Sequence, residues 1–154
     1  MNEEESSILQ QYLQTLYKRN AYVNLLDMKM AHVEQGLAEI VMPIEPAKHT
    51  NLYNAAHGGA IASVADTAMG VACASLGRRV VTLELNINFI KAPDPGTEVR
   101  AVGRVIHNGR KTLVVECDVY GHANVLVGKA RGTFYVVGEF DQAFMDEIDC
   151  KKEE

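Results

Sequence analysis

Residues 51–72, NLYNAAHGGAIASVADTAMGVA, constrain the fold of this chain more than any other stretch. Between Lys48 and Arg78 the only formal charge is Asp66, set among alanines, valines, glycines and a methionine. The run from Gly58 to about Leu76 predicts a helix, and a helix apolar all round must be buried on nearly every side. A membrane span is excluded, because Ala and Gly dominate the run and it carries His57, Ser63, Asp66, Thr67 and Ser75. A mid-span Asp costs about 2.5–3.5 kcal/mol on insertion, with too little hydrophobicity around it to offset that cost. The segment is therefore expected at the centre of one globular domain.

The flanking sequence supplies what could bury it. SSILQQYLQTLYKRN places Ile8, Leu9, Tyr12, Leu13, Leu16 and Tyr17 at helical spacing, with a Ser7–Gln10 capping box and Lys18 and Arg19 at the end. Nothing in this helix suggests catalysis. Extended runs at 23–31 and 35–42 predict a hairpin turning at Glu34-Gln35-Gly36, closed by Pro43 and Pro46. The run VVTLELNINFIK alternates Val81, Leu83, Leu85, Ile87 and Phe89 against Thr82, Glu84, Asn86 and Asn88. After the Ala92–Gly96 turn come runs at 97–107, 112–120 and 125–137, with a hairpin signal at Asn108-Gly109. The expected class is α+β, one antiparallel sheet, including a four-strand meander, wrapped around a long central helix. The expected organisation is an N-terminal helix over 1–21, the domain over 22–138 and an acidic tail over 139–154.

At 154 residues the chain can bury a core without disulfides or metal. Its net charge of −5 argues against nucleic acid and against a polybasic membrane anchor. Cys73, Cys117 and Cys150 are scattered and contain no CxxC, so they point to a reducing, cytoplasmic setting rather than to a disulfide or zinc framework. The opening MNEEESS is acidic, unlike a secretory or transit peptide.

The chemistry concentrates where the central helix begins. A helix start offers unpaired N–H groups and partial positive charge, suited to a polarised carbonyl or an oxyanion. Gly58 and Gly59 allow close approach of a ligand to that backbone. Asn51 and His57 flank it, and Asp66 is a candidate base or nucleophile. Eight residues at a rise of about 1.5 Å put Asp66 roughly 12 Å along the axis from Gly58, too far for both to act on one carbonyl. If both take part, a second subunit must supply the complement, so a homodimer with two composite sites is expected.

At these residues the chain resembles the hotdog-fold thioesterases, in the PaaI-like phenylacetate-pathway branch of the 4-hydroxybenzoyl-CoA thioesterase superfamily. That branch carries Asn-x-x-Gly-x-x-His-Gly-Gly, then Leu-x-Asp-x-Ala on a helix. Here the pattern reads Asn51-Leu-Tyr-Asn54-Ala-Ala-His57-Gly58-Gly59, then Val64-Ala65-Asp66-Thr67-Ala68, within a resemblance over roughly 22–138. Asn54 replaces the usual glycine and is the best substitute for it at positive φ. The resemblance implies hydrolysis of an aryl- or fatty-acyl-CoA to free acid and CoA. It makes Asp66 general base or nucleophile, has the Gly58 N–H polarise the thioester carbonyl, and lets Asn51 orient water or substrate. His57 then supports the substrate side and Thr82 helps hold the nucleophilic water. Gly59, Asn54, Arg110 and Lys111 are the candidate substrate-binding positions, the last two, with Lys91 and Arg104, for the phosphates of coenzyme A. No metal or redox cofactor is implied, and coenzyme A enters as part of the substrate. The expected assembly is a dimer, paired further into a tetramer. The competing reading is a hotdog module that senses acyl-CoA without cleaving it. Only about twenty residues precede the first expected strand, too few for a DNA-binding helix-turn-helix.

Overall fold

A computed structural model of the chain describes residues 3–141. Helix α1 spans Glu3–Tyr17 and is followed by a short helix α2, Ala21–Leu25. Strands β1 (Lys29–Glu34) and β2 (Leu37–Pro43) form the hairpin, and one turn of helix α3, Pro46–His49, follows the proline signals. The central helix α4 runs Gly58–Ala74. Strands β3 (Arg78–Phe89), β4 (Glu98–Asn108), β5 (Thr112–Tyr120) and β6 (Leu126–Glu139) complete the sheet.

The sheet is antiparallel with strand order β1-β2-β4-β5-β6-β3. It curls around α4, whose Ala60, Ile61, Val64, Ala65, Ala68, Met69 and Val71–Ala74 are buried. The inner face of β5 supplies Leu113, Val115, Cys117 and Val119, while Thr112, Val114, Glu116, Asp118 and Tyr120 stand on the outer face, following the expected period of two. At β4 the sheet comes closest to the helix. A Cβ on Gly103 would lie 2.7 Å from the Ala68 backbone, so only glycine fits there.

Two expectations are corrected. The extended run expected over 23–31 begins as a helix, because Asn20 caps it: its Oδ1 accepts from Tyr22 N at 3.1 Å and Val23 N at 3.2 Å. The last four strands are not a simple meander, since β3 pairs with β6 and not with β4. Residues 90–97 instead cross the start of α4, bonded at one end through Ile90 N to Val127 O (2.9 Å) and at the other through Gly96 N to Ile44 O (2.7 Å). Turn residues reveal that the chain bends there, but not which strand it meets next. The hairpin signalled at Asn108-Gly109 joins β4 to β5, with residues 109–111 as its loop and no positive φ at Asn108 or Gly109. The expected acidic tail lies outside the described residues beyond Asp141.

Candidate active site

The loop before α4 is built by Asn51. Its Oδ1 accepts from Tyr53 N (2.9 Å) and Ala55 N (3.1 Å), and its own N–H donates to Ala55 O (2.8 Å). Asn54 adopts φ 58°, the left-handed conformation expected where the family pattern has glycine. His57 is the N-cap of α4, its Nδ1 accepting from Gly59 N at 2.8 Å. That bond occupies the Gly59 N–H and leaves the hydrogen of a neutral imidazole on Nε2, directed away from the helix. Among the described residues nothing accepts the Gly58 N–H, the first of the helix. Gly58 lines a cavity of about 310 Å3 with Ala56, Phe89, Lys91, Pro93 and Val127.

Asp66 occupies a different part of α4. Gly59, Ala62, Ser63, Asp66, Thr67 and Gly70 form the one helix face the sheet does not cover, and a Cβ on Gly70 would meet nothing within 4 Å. From β3, the Thr82 hydroxyl donates to Asp66 Oδ1 at 2.8 Å. Strict alternation placed Thr82 beside Glu84, Asn86 and Asn88, and the structure corrects this. The β3–β6 register shifts between Thr82 and Glu84, with Thr82 opposite the buried Phe134 and Glu84 opposite Thr133. Leu83 is the extra residue, 60% exposed, and the bulge turns Thr82 toward the helix. Asp66 and Thr82 line a cavity of about 470 Å3.

Gly58 and Asp66 therefore face separate cavities of one chain, as the helical rise predicts. Arg110 and Lys111 are exposed at the β4–β5 hairpin, where Lys111 O accepts from Val136 N at 2.9 Å. Neither lines the Gly58 cavity nor the Asp66 cavity, whereas Lys91 lines the former. The Asp66 cavity also holds residues that sequence reasoning set aside: Tyr17 from α1, Asn20 from its C-terminal side and Tyr22 from α2. The Tyr22 hydroxyl shares a hydrogen bond of 2.7 Å with Ser63 Oγ, which in turn donates to Gly59 O at 2.7 Å. Amphipathic spacing shows that α1 packs on something; it does not show on what. Cys73 and Cys117 are buried, and burial pushes both thiols up to about 12, so both are protonated and poor nucleophiles at neutral pH. Among the described residues no cluster of His, Cys, Asp or Glu could hold a metal ion, and no helix is long and apolar enough to cross a membrane.

The Thioesterase superfamily profile matches residues 53–127, a span containing His57, Gly58, Asp66 and Thr82. An Archaeoglobus fulgidus protein assigned provisionally as an esterase is 31% identical over 135 residues, covering 88% of this chain and 87% of the relative. The chain belongs to the thioesterase superfamily. Within it the chain is a PaaI-like hotdog thioesterase. The acyl-coenzyme A thioesterase PaaI of Escherichia coli is 28% identical over 123 residues, covering 80% of this chain and 87% of PaaI. The structure of the E. coli PaaI protein, from the phenylacetic acid degradation operon, matches with a TM-score of 0.82 at 26% identity, covering 87% of this chain and 96% of that one. A Streptococcus mutans protein solved bound to acetyl CoA matches with a TM-score of 0.71 at 32% identity, covering 74% and 91%. The chain is accordingly an enzyme of the thioester hydrolase class.

Proposed function

We propose that this PaaI-like thioesterase hydrolyses acyl-CoA thioesters, with Asp66 as the catalytic carboxylate. The observation that carries the reading is the Thr82–Asp66 hydrogen bond of 2.8 Å, made at the edge of a cavity on the uncovered face of α4. A carboxylate fixed there takes a proton from water as the water attacks the thioester carbonyl, or attacks that carbonyl itself to form a mixed anhydride that water then hydrolyses to free acid and carboxylate. The carbonyl oxygen becomes an oxyanion, the C–S bond breaks, and CoA leaves as a thiolate that is then protonated. The unclaimed Gly58 N–H is suited to receive that oxyanion, with the partial positive charge of the α4 start behind it. Asn51 spends its carbonyl on the loop, which leaves its amide nitrogen to orient water or substrate. His57 holds the first turn of α4 in place and presents Nε2–H to the substrate side.

The reading includes a site shared by two copies of the chain. Gly58 and Asp66 face separate cavities, which supports pairing each with its complement on another subunit. Two further features favour such a dimer. The α4 face bearing Asp66 is lined by small residues, and β3 is an edge strand with Val81, Leu83 and Phe89 between 49% and 60% exposed. Lys91, in the Gly58 cavity, is the nearest candidate for a coenzyme A phosphate, and Arg110 and Lys111 can serve only if a second copy brings them to it. The buried free thiols Cys73 and Cys117 fit a reducing, cytoplasmic setting.

The test is a thiol-release assay over short-chain, long-chain and aryl acyl-CoAs, with Asp66→Asn alongside. The expected result is turnover by the wild type and a kcat loss of about a thousandfold or more in Asp66→Asn, which keeps the shape and removes the base. Full activity in Asp66→Asn would remove the carboxylate from the mechanism. Tight acyl-CoA binding without thiol release by the wild type would establish a sensing module instead.

A further inference from the structure

We propose that Tyr17 is a specificity-determining residue: its ring is the partition that ends the acyl pocket beside Asp66 and so limits the length of acyl chain accepted. This rests on the acyl-CoA thioesterase reading above. Tyr17 lines the cavity of about 470 Å3 that contains Asp66 and Thr82. It also lines a second cavity of about 530 Å3, which includes Gln14, Met28 and Met30 and lies between α1 and the start of β1. Tyr17 and the largely buried Val23 are the two side chains common to both. On this proposal, removing the phenol ring leaves only Val23 between the two spaces and lets the volume reached from Asp66 rise toward the sum of the two.

The partition is held rigidly enough to act as a ruler. Leu13, one turn earlier on α1, is fully buried, and the Tyr12 ring meets Phe140 edge-on at 6.4 Å between centroids. On the other side, Asn20 caps α2 and the Tyr22–Ser63 hydrogen bond of 2.7 Å ties α2 to α4. No described residue hydrogen-bonds the Tyr17 hydroxyl. Burial, followed by the nearby Cys73 and Asp66, pushes it up to about 12, so it is a neutral group at working pH and no competitor to Asp66 as a base. The second cavity has a mixed lining: Val23, Met28 and Met30 offer apolar, adaptable surface for the methylenes of a longer chain, beside charged side chains that include Lys18, Asp27 and Lys29.

The test measures kcat/KM for butyryl-, octanoyl-, lauroyl- and palmitoyl-CoA with the wild type, Tyr17→Ala, Tyr17→Leu and Tyr17→Phe, each checked by thermal melting. Tyr17→Ala is expected to raise the lauroyl-to-butyryl ratio by about tenfold or more, since each methylene admitted to an apolar pocket is worth about tenfold. Tyr17→Phe, which keeps the ring, is expected to leave that ratio within about twofold of wild type. If Tyr17→Ala does not fold, Tyr17→Leu decides on the same ratio, because it keeps apolar bulk on α1 without the ring. An unchanged ratio in an active, folded Ala or Leu variant overturns the partition and leaves the thioesterase reading standing. Failure of the wild type to release thiol from all four overturns the partition; failure on the aryl acyl-CoAs of the assay above as well overturns the thioesterase reading.

Discussion

Thr82 meets Asp66 because β3 carries one residue more than its partner strand. Had Leu83 taken a regular place in the ladder instead of bulging out, the alternation from Leu85 back along the strand would turn the hydroxyl away from the helix. A hydrogen bond from a hydroxyl to a carboxylate is worth about 1.5–3 kcal/mol, and it also fixes the rotamer from which the carboxylate is proposed to act. Thr82→Val, close in shape but without the donor, is expected to lower kcat by about ten- to a hundredfold in steady-state thiol release, with a smaller change in KM. Thr82→Ser should stay within a few-fold of wild type. An unaltered kcat in Thr82→Val would show that the hydroxyl does not support the reacting carboxylate. Asn54 was readable by itself, since positive φ is a local property, whereas His57 was read only as a flank of the helix start and its N-capping bond to Gly59 came from the structure. The side of β3 on which Thr82 stands was not readable, because a bulge leaves no mark in a run of alternating residues.

The α4 helix presents two separate groups along its length. Its first turn presents an unclaimed N–H at Gly58, and its third presents the carboxylate of Asp66. The first group can be removed without removing the helix. Gly58 is the first helical residue, where proline is well tolerated, and His57 before it already sits at φ −69° and ψ 131°, the region a proline demands of its predecessor. The added ring would press on Phe89, which approaches the Gly58 Cβ position at 3.2 Å but is 56% exposed and able to swing aside. Gly58→Pro is expected to retain stability within about 0.5 kcal/mol in urea unfolding. Its kcat should fall by about a hundred- to a thousandfold, the usual loss when one oxyanion donor is removed. Near wild-type kcat in a folded Gly58→Pro protein would mean that this N–H does not bind the oxyanion. Helix α1 was legible as an amphipathic helix and nothing more. That Tyr17 lies between two cavities is a property of what α1 covers, which periodicity does not encode.

For the whole molecule, the decisive question is whether the two half-sites are completed across a dimer. Mixing two inactive variants, Gly58→Pro and Asp66→Asn, and allowing subunits to exchange answers it. A shared site leaves each heterodimer one centre with both groups intact, so random exchange should restore roughly a quarter of wild-type activity. No recovery after exchange verified by mass spectrometry would place both groups in one chain's site or outside catalysis.

The sequence by itself determined that this chain builds a buried helix within an antiparallel sheet. Apolar periodicity and the charge-free run around Asp66 are sufficient for that, because burial of such a segment has few solutions. It also placed the glycines and the carboxylate at spacings that helical rise converts into distances. Only the tertiary structure decided that β3 joins β6, that a bulge turns Thr82 inward, and that Tyr17 lines both the Asp66 cavity and the one beside it. Each of these depends on contacts between segments far apart in the chain. Local propensity cannot express such contacts, whereas close packing around α4 selects among them.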